Sequence, residues 1–341
     1  DQDPVNIKAA QIIGKLFHSI KSSGFNEKDL EIFLTRIVYC LFAEDTGIFQ
    51  PNIFRSYLEE KTNIDGSDVG SKLTELFQIL NTKTEERQLN LDEDLKIFPY
   101  INGDLFSEDM NIPSLTSDMR KKIINCCSLD WSKVSPALFG SLFQTVLDIN
   151  EQRDEGAHYT SEKNILKTIK PLFLDYLYSK LQKLKDDRST QKISRLKAFH
   201  EEISKLNFLD PACGCGNFLI VAYRELRVLE IEVFKEIYPS NQLQLDVNIL
   251  SSVTVDQFYG IELNHFAVRI AKIAMWLVDH QMNQALSDLY GIAYTRIPIH
   301  DSKKIIRENA LKFDWKSLIN PNECNYILGN PPFVGPRFMT D

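Results

Sequence analysis

The chain opens with two apolar patterns at helical spacing. Ile12, Ile13, Leu16, Phe17 and Ile20 recur on one face behind an Asp3-Pro4 start signal, which predicts an amphipathic helix over about 5–25. Leu30, Ile32, Phe33, Leu34, Ile37, Val38, Leu41 and Phe42 follow so densely that the helix over 27–43, closed by Gly47, is expected to be nearly buried. Further helical patterns at 71–80, 117–127 and 135–150 are divided by Asn, Gly and Pro clusters, and no convincing alternating strand run interrupts them before residue 200. Past residue 206 short apolar runs alternate with long helical stretches, as in parallel β-α-β construction. The pattern therefore predicts a mostly helical domain over 1–150 and an α/β domain over 151–341.

Charge and cysteine usage narrow the chemistry. With 39 basic residues against 47 acidic ones the net charge is −8, so bulk attraction to nucleic acid is excluded and any DNA contact must use local patches or parts outside this chain. The Lys- and Arg-rich polar face between 163 and 205, including Lys180, Lys183, Lys185, Arg188, Lys192, Arg195 and Lys197, reads first as a solvated helix surface and second as a phosphate-contacting patch. Cys40, Cys126, Cys127, Cys213, Cys215 and Cys324 form no C-x-x-C pair or His-spaced cluster, which argues against zinc and for no metal site. No basic-then-apolar leader and no membrane-length apolar run occur, so a cytoplasmic location with reduced thiols is expected. A start without Met and an end at Asp341 read as a piece of a longer polypeptide, whose oligomeric state is not legible here.

Candidate chemistry collects at the ends of the apolar runs. Leu206-Asn207-Phe208-Leu209 reads as a strand; Asp210, Pro211, Ala212, Cys213, Gly214, Cys215 and Gly216 make a glycine turn, and a helix opens at Asn217 and Phe218. Gly214 and Gly216 permit a tight turn and a close ligand approach, while a carboxylate at the strand end suits a cationic group. The third glycine of the dinucleotide fingerprint is absent. The next run, Phe258–Glu262, ends in an acid suited to ribose hydroxyls, with Leu263 able to face a ring; an acidic helix cap is the equal alternative for Glu262. A helical insertion around 222–238 and a helix from about His265 to Met282 fill the connections. A third run, Ile297-Pro298-Ile299-His300-Asp301-Ser302, again ends in an acid, with a simple loop acid as the even alternative.

The fourth run, Asn325 to Gly329, leads into Asn330-Pro331-Pro332-Phe333. Two prolines stiffen the backbone and supply no N–H, leaving carbonyl acceptors without competing donors. An exocyclic base amine is a poor nucleophile because its lone pair is delocalised into the ring. Accepting both its N–H bonds, at the Asn330 side-chain oxygen and the Pro331 carbonyl, favours a pyramidal nitrogen able to attack a methyl group. Phe333 offers a face on which an extruded base can stack.

Asp210 to Phe218 followed by Asn330 to Phe333 resembles the AdoMet loop and catalytic loop of class I amino-methyltransferases acting on adenine N6. Gly156-Ala157-His158-Tyr159-Thr160-Ser161, ahead of the first strand, resembles the segment that such DNA enzymes carry there in the gamma motif order. The run Phe33–Gly47, with Leu138 to Phe143, resembles the helical spacer of type IIL (MmeI-like) restriction-modification polypeptides. The resemblance spans nearly the whole chain. It implies a Rossmann-like α/β fold whose sheet stops after the catalytic loop, preceded by a helical domain. It further implies S-adenosyl-L-methionine (AdoMet) as cofactor and duplex DNA as partner, held mainly by parts outside this chain.

Position by position, the resemblance gives Tyr159 and Thr160 contacts to the methionine part, and Asp210 with the backbone through Gly216 its amino-acid end. It gives Glu262 the ribose, Asp301 the adenine amino group, and Asn330 to Phe333 a flipped target base. Cys215 stands where the pattern usually has Ser. Cytosine-C5 chemistry lacks its Pro-Cys dipeptide, and no D…E-x-K nuclease pattern exists, since Glu59-Glu60-Lys61 and Glu162-Lys163 lack the intervening residue. The remaining alternatives are an amino-methyltransferase for RNA or protein, and an inactive AdoMet-binding fragment serving as a helical interaction module.

Overall fold

The computed structural model describes residues 4–101, 105–137, 160–238, 251–291 and 304–331, and the described residues fall into two compact units, within 1–138 and within 139–341. In the first unit α1 (Pro4–Lys21) buries Ile13, Leu16, Phe17 and Ile20, the stripe its spacing predicts. The central α2 (Glu27–Asp45) starts where Asn26 accepts a bond from the Asp29 amide, and it is buried over almost its whole length. Its one buried cation, Arg36, donates to the carbonyls of Leu105 and Glu108 and lies over the rings of Phe77 and Phe106, so the charge is solvated from within. Around it lie α3 (Ile53–Glu60), α4 (Val69–Leu80), the single turn α5 (Glu93–Lys96) and α6 (Ser117–Cys126). The helical pattern expected at 135–150 lies almost wholly outside the described residues.

The second unit begins with α7 (Glu162–Ile169), passes through a wide turn at Lys170–Leu174, and continues as α8 (Asp175–Lys185) and α9 (Lys192–Ile203). Then come β1 (Phe208–Asp210), α10 (Asn217–Ile237), β2 (Phe258–Glu262), α11 (His265–Tyr290), β3 (Ile305–Arg307) and β4 (Tyr326–Ile327). All pairings are parallel, in the order β3-β2-β1-β4 among the described strands. The third run, expected at 297–302, lies outside the described residues, and the strand observed on that side of the sheet is the later β3.

Strand alternation divides the core between two faces. Phe208, Phe258 and Tyr326 are in register on β1, β2 and β4; the first pair stacks at 4.8 Å and the second at 5.3 Å, with Phe173 and Tyr223 against them. Leu209, Tyr259 and Ile261 face the other way and pack with Ile319, Phe313 and Trp315. Coverage on both faces suits a parallel sheet. The chain crosses outward from β1 through β2 to β3 and then returns to the other side of β1, so the order reverses between β1 and β4. In doubly wound sheets, ligands sit outside the carboxyl ends of the strands at such a reversal.

Candidate functional site

The carboxyl end of β1 is Asp210, whose side chain is 1% exposed. One oxygen accepts from the Ala212 amide at 3.0 Å. Burial pushes this carboxyl up to about 7, against that backbone bond and reinforced by the charge of Glu262. The turn behind it is tied together by its own backbone: Cys213 N donates to Ile261 O, and Gly216 N to Cys213 O. Gly216 sits at φ 85°, and a Cβ there would meet Ala271 at 3.0 Å, so glycine serves both the left-handed turn and the approach of α11.

Glu262 ends β2 and does more than cap a helix. Its Oε2 accepts from the Gly214 amide at 2.9 Å and its Oε1 from the Asn264 amide at 2.8 Å, while Asn264 itself caps α11. The acid therefore clasps the glycine loop to the second strand, a role that strand-end position alone does not disclose. Leu263 beside it is 62% exposed, an apolar side chain left in the open. Asn217, the first residue of α10, is buried, and its Oδ1 lacks a hydrogen-bond partner among the described residues. Phe218, Cys213 and Cys215 are buried too; burial holds the Cys213 thiol well above its usual range and pushes Cys215 up to about 12, so neither is a ready nucleophile or metal ligand. Pro211 and Ala212 remain half-buried on the turn.

The carboxyl end of β4 meets this turn. Leu328 N donates to Leu209 O at 2.9 Å, and Gly329, at φ 151°, lies so close to Asp210 that a Cβ on it would fall 2.4 Å from the carboxylate Oδ1. Only glycine lets the backbone pass there. One residue on, Asn330 is exposed, and its Nδ2 donates to Thr160 Oγ1 at 3.0 Å. With the donor half of the amide engaged, Oδ1 has no donor among the described residues and remains available as an acceptor. Pro331 follows, exposed.

Of the residues singled out in the sequence, Asp210, Glu262, Gly214, Gly216 and Asn217 thus cluster at the first two strand ends, and Asn330 is joined to Thr160 at the fourth. Tyr159, Asp301, Pro332 and Phe333 lie outside the described residues. Sequence reasoning passed over Gly329, where the Asp210 carboxylate leaves no room for a side chain; its position one residue before the asparagine was the available signal. Among the described residues no group of three or more His, Cys, Asp or Glu side chains could hold a metal ion, and no helix is long and apolar enough to cross a membrane.

Comparison with known proteins adds a second line of observation. Residues 183–341 match the family described as "MmeI, DNA-methyltransferase domain", and residues 28–106 match "MmeI, helicase spacer domain". The chain is 36% identical over 343 aligned residues to DNA methyltransferase A of Bacillus subtilis, an alignment covering 98% of this chain and 38% of that protein. It is 28% identical to a putative type II restriction enzyme and methyltransferase of Methanocaldococcus jannaschii, over 75% of this chain and 25% of the relative. The solved structure of the type IIL restriction-modification enzyme MmeI in complex with DNA superposes with a TM-score of 0.86 at 49% identity, covering 98% of this chain and 44% of that one. The chain thus spans less than half the length of these relatives.

Proposed function

From the premise that this chain carries the spacer and DNA-methyltransferase domains of the MmeI family, we propose that the protein containing it transfers a methyl group from AdoMet to adenine N6 in duplex DNA. The setting is a restriction-modification or phage-defence system, and the target base is flipped out of the helix. Residues 151–341 then belong to a Rossmann-like class I methyltransferase fold, preceded along the chain by a helical spacer. The observation that carries this reading is the meeting of two loops at the strand reversal: Gly329 against the Asp210 carboxylate, and Asn330 bonded to Thr160.

The residues present fit AdoMet. A buried carboxylate at Asp210 suits its ammonium group, the orphaned Asn217 Oδ1 offers a buried acceptor, and exposed Leu263 beside Glu262 offers an apolar face next to a hydroxyl-binding acid. When bound, AdoMet supplies an electrophilic sulfonium methyl. The protein's own part is positioning. Asn330 Oδ1 and the Pro331 carbonyl accept the two N–H bonds of the adenine amine and draw its lone pair out of conjugation. Thr160 fixes which end of the Asn330 amide faces the base by occupying Nδ2. No general base of unusual strength is needed, because aligned attack depends on geometry above all.

Two measurements follow. Full-length protein incubated with AdoMet and unmodified genomic DNA should yield N6-methyladenine in the digested nucleosides; methyl groups appearing only on cytosine, RNA or protein would end this assignment. Second, AdoMet affinity should be proton-linked. The folded value at Asp210 is raised to about 7, so the unliganded protein loses stability as pH climbs toward it, whereas a cationic ligand requires the ionised form. Affinity measured by calorimetry should therefore fall by roughly tenfold per unit below about pH 7. Asp210→Asn should bind weakly at every pH with that slope gone, and a slope unchanged in this variant would assign the linkage elsewhere.

A further inference from the structure

The basic face between residues 163 and 205 divides into charges paired within the fold and exposed charges with no ion-pair partner among the described residues, Lys183, Arg188 and Lys197 belonging with the latter. Lys180, Lys185, Lys192 and Arg195 are each paired with a carboxylate, to Glu202, Glu232, Glu236 and Asp187 respectively. Those four charges are neutralised within the fold. On α7 the arrangement is different. Lys163 and Lys167 on that helix, and Lys170 at its C-cap, are all exposed and have no anionic partner among the described residues. Their i, i+4, i+7 spacing aligns them along one side of the helix, opposite Ile165 and Ile169, which are buried. The acid that could have answered this stripe, Glu162, is turned to the other side and paired with Arg224 of α10 at 2.7 Å.

The stripe also begins at the site. Lys163 is three residues from Thr160, whose hydroxyl holds Asn330. From there seven residues at ~1.5 Å each carry it about 10 Å along the helix, the axial rise of roughly three nucleotides of one DNA strand. On a chain of net charge −8, three adjacent unpaired lysines running away from the base-accepting loop are a local exception that bulk charge does not explain.

We infer that Lys163, Lys167 and Lys170 form a contact surface for the backbone phosphates of duplex DNA flanking the flipped base. The inference rests on the DNA-methylation reading above. The contacts carry no sequence information; they fix the duplex in register so that the extruded nucleotide reaches Asn330. Neutralising three phosphates releases their counterions, which gives the surface a measurable salt signature.

The test uses full-length protein with Lys163, Lys167 and Lys170 all changed to Gln. A comparison variant has Lys183, Arg188 and Lys197 changed to Gln, losing the same charge from exposed positions that also lack an ion pair among the described residues. Binding of a fluorescein-labelled duplex is followed against salt, alongside KM for DNA, kcat and AdoMet affinity. In the stripe variant the slope of log affinity against log salt should shrink by about 2 to 3, and KM for DNA should rise on the order of tenfold, with kcat and AdoMet affinity unchanged. The comparison variant should stay close to the unmutated protein. Equal losses in both variants, or an unaltered slope in the stripe variant of an otherwise active enzyme, would overturn the inference while leaving the function standing. Failure of the unmutated protein to methylate duplex DNA would bring down both.

Discussion

Asn330→Ala in the full-length protein is expected to cut methyl transfer by roughly 10²- to 10³-fold, the scale seen when one pre-aligned polar contact to the reacting group is deleted. AdoMet affinity and duplex binding should change little, because the side chain is exposed and its hydrogen bond among the described residues goes to Thr160. The graded companion is Thr160→Val. It leaves Oδ1 in place but frees the amide to rotate, so kcat should fall by about tenfold with KM for DNA preserved. Single-turnover rates with saturating AdoMet separate these effects from cofactor binding. If Asn330→Ala keeps full kcat, the amine is not held by this loop, and if Thr160→Val is as inactive as Asn330→Ala, Thr160 has a second task, such as the cofactor contact that the family resemblance implies.

The largest stability effect belongs to a different part of the same unit. Arg227 on α10 is completely buried and reaches five partners, the Val253 carbonyl at 3.4 Å among them. Its Nη1 donates to Tyr223 Oη at 2.7 Å and to Asp279 Oδ1 at 3.2 Å, its Nη2 to Asn283 Oδ1 at 2.9 Å, and its Nε lies 3.0 Å from Glu230 Oε2, in ion-pair range though off the hydrogen-bond direction. Glu230, equally buried, accepts from His200, Ser251 and the amides of Ser252 and Val253. Burial pushes its carboxyl up, but the His200 bond and the Arg227 charge outweigh that and hold it below its usual range. With the folded value lowered, Glu230 stabilises the fold at neutral pH, and that contribution is lost as pH falls through the carboxylate range.

Arg227→Met removes the shared cation and leaves two buried acids without its counter-charge, so unfolding free energy should drop by about 3 to 5 kcal/mol. In thermal unfolding this reads as a midpoint lowered by roughly 10 °C. Adding Glu230→Gln to Arg227→Met should recover part of the loss, since the second change relieves the stranded charge. A midpoint within a degree or two of the unmutated protein would mean that water reaches these groups and that the network contributes little.

That network marks where sequence reading stops. Arg227 and Glu230 stand three apart on a helix, the spacing of an ordinary solvent-facing pair, and nothing local tells that α11 and the segment at 251–253 close over them. The main helices were legible because their apolar positions repeat over several turns. Ile53–Glu60 and Glu93–Lys96 were not, being too short for a repeat to register. α11 continues two turns past Met282, to Gly291 in the left-handed conformation, where the sequence offers a clear stop. β1 and β2 stood out as apolar runs ending in an acid before a turn. β3, three residues between Lys304 and Glu308, carries too little alternation to be noticed.

The same contrast holds in the site. Asp210, Glu262 and Asn330 could be picked out because each ends a strand-like run. That Thr160 bonds Asn330 across 170 residues, and that Glu262 grips the Gly214 amide, are facts of tertiary assembly that no spacing encodes.

The backbone of β4 passing against a buried acid has a practical consequence for redesign. Under the proposed function, a library meant to reshape which base is accepted can randomise positions from Pro331 onward, but Gly329 should be frozen: the Cβ of any other amino acid would fall 2.4 Å from Asp210 Oδ1. On the proposed reading, the corner that would present the substrate and the corner that would hold the methyl donor thus share one immovable point. Changing what the enzyme modifies has to happen beyond it.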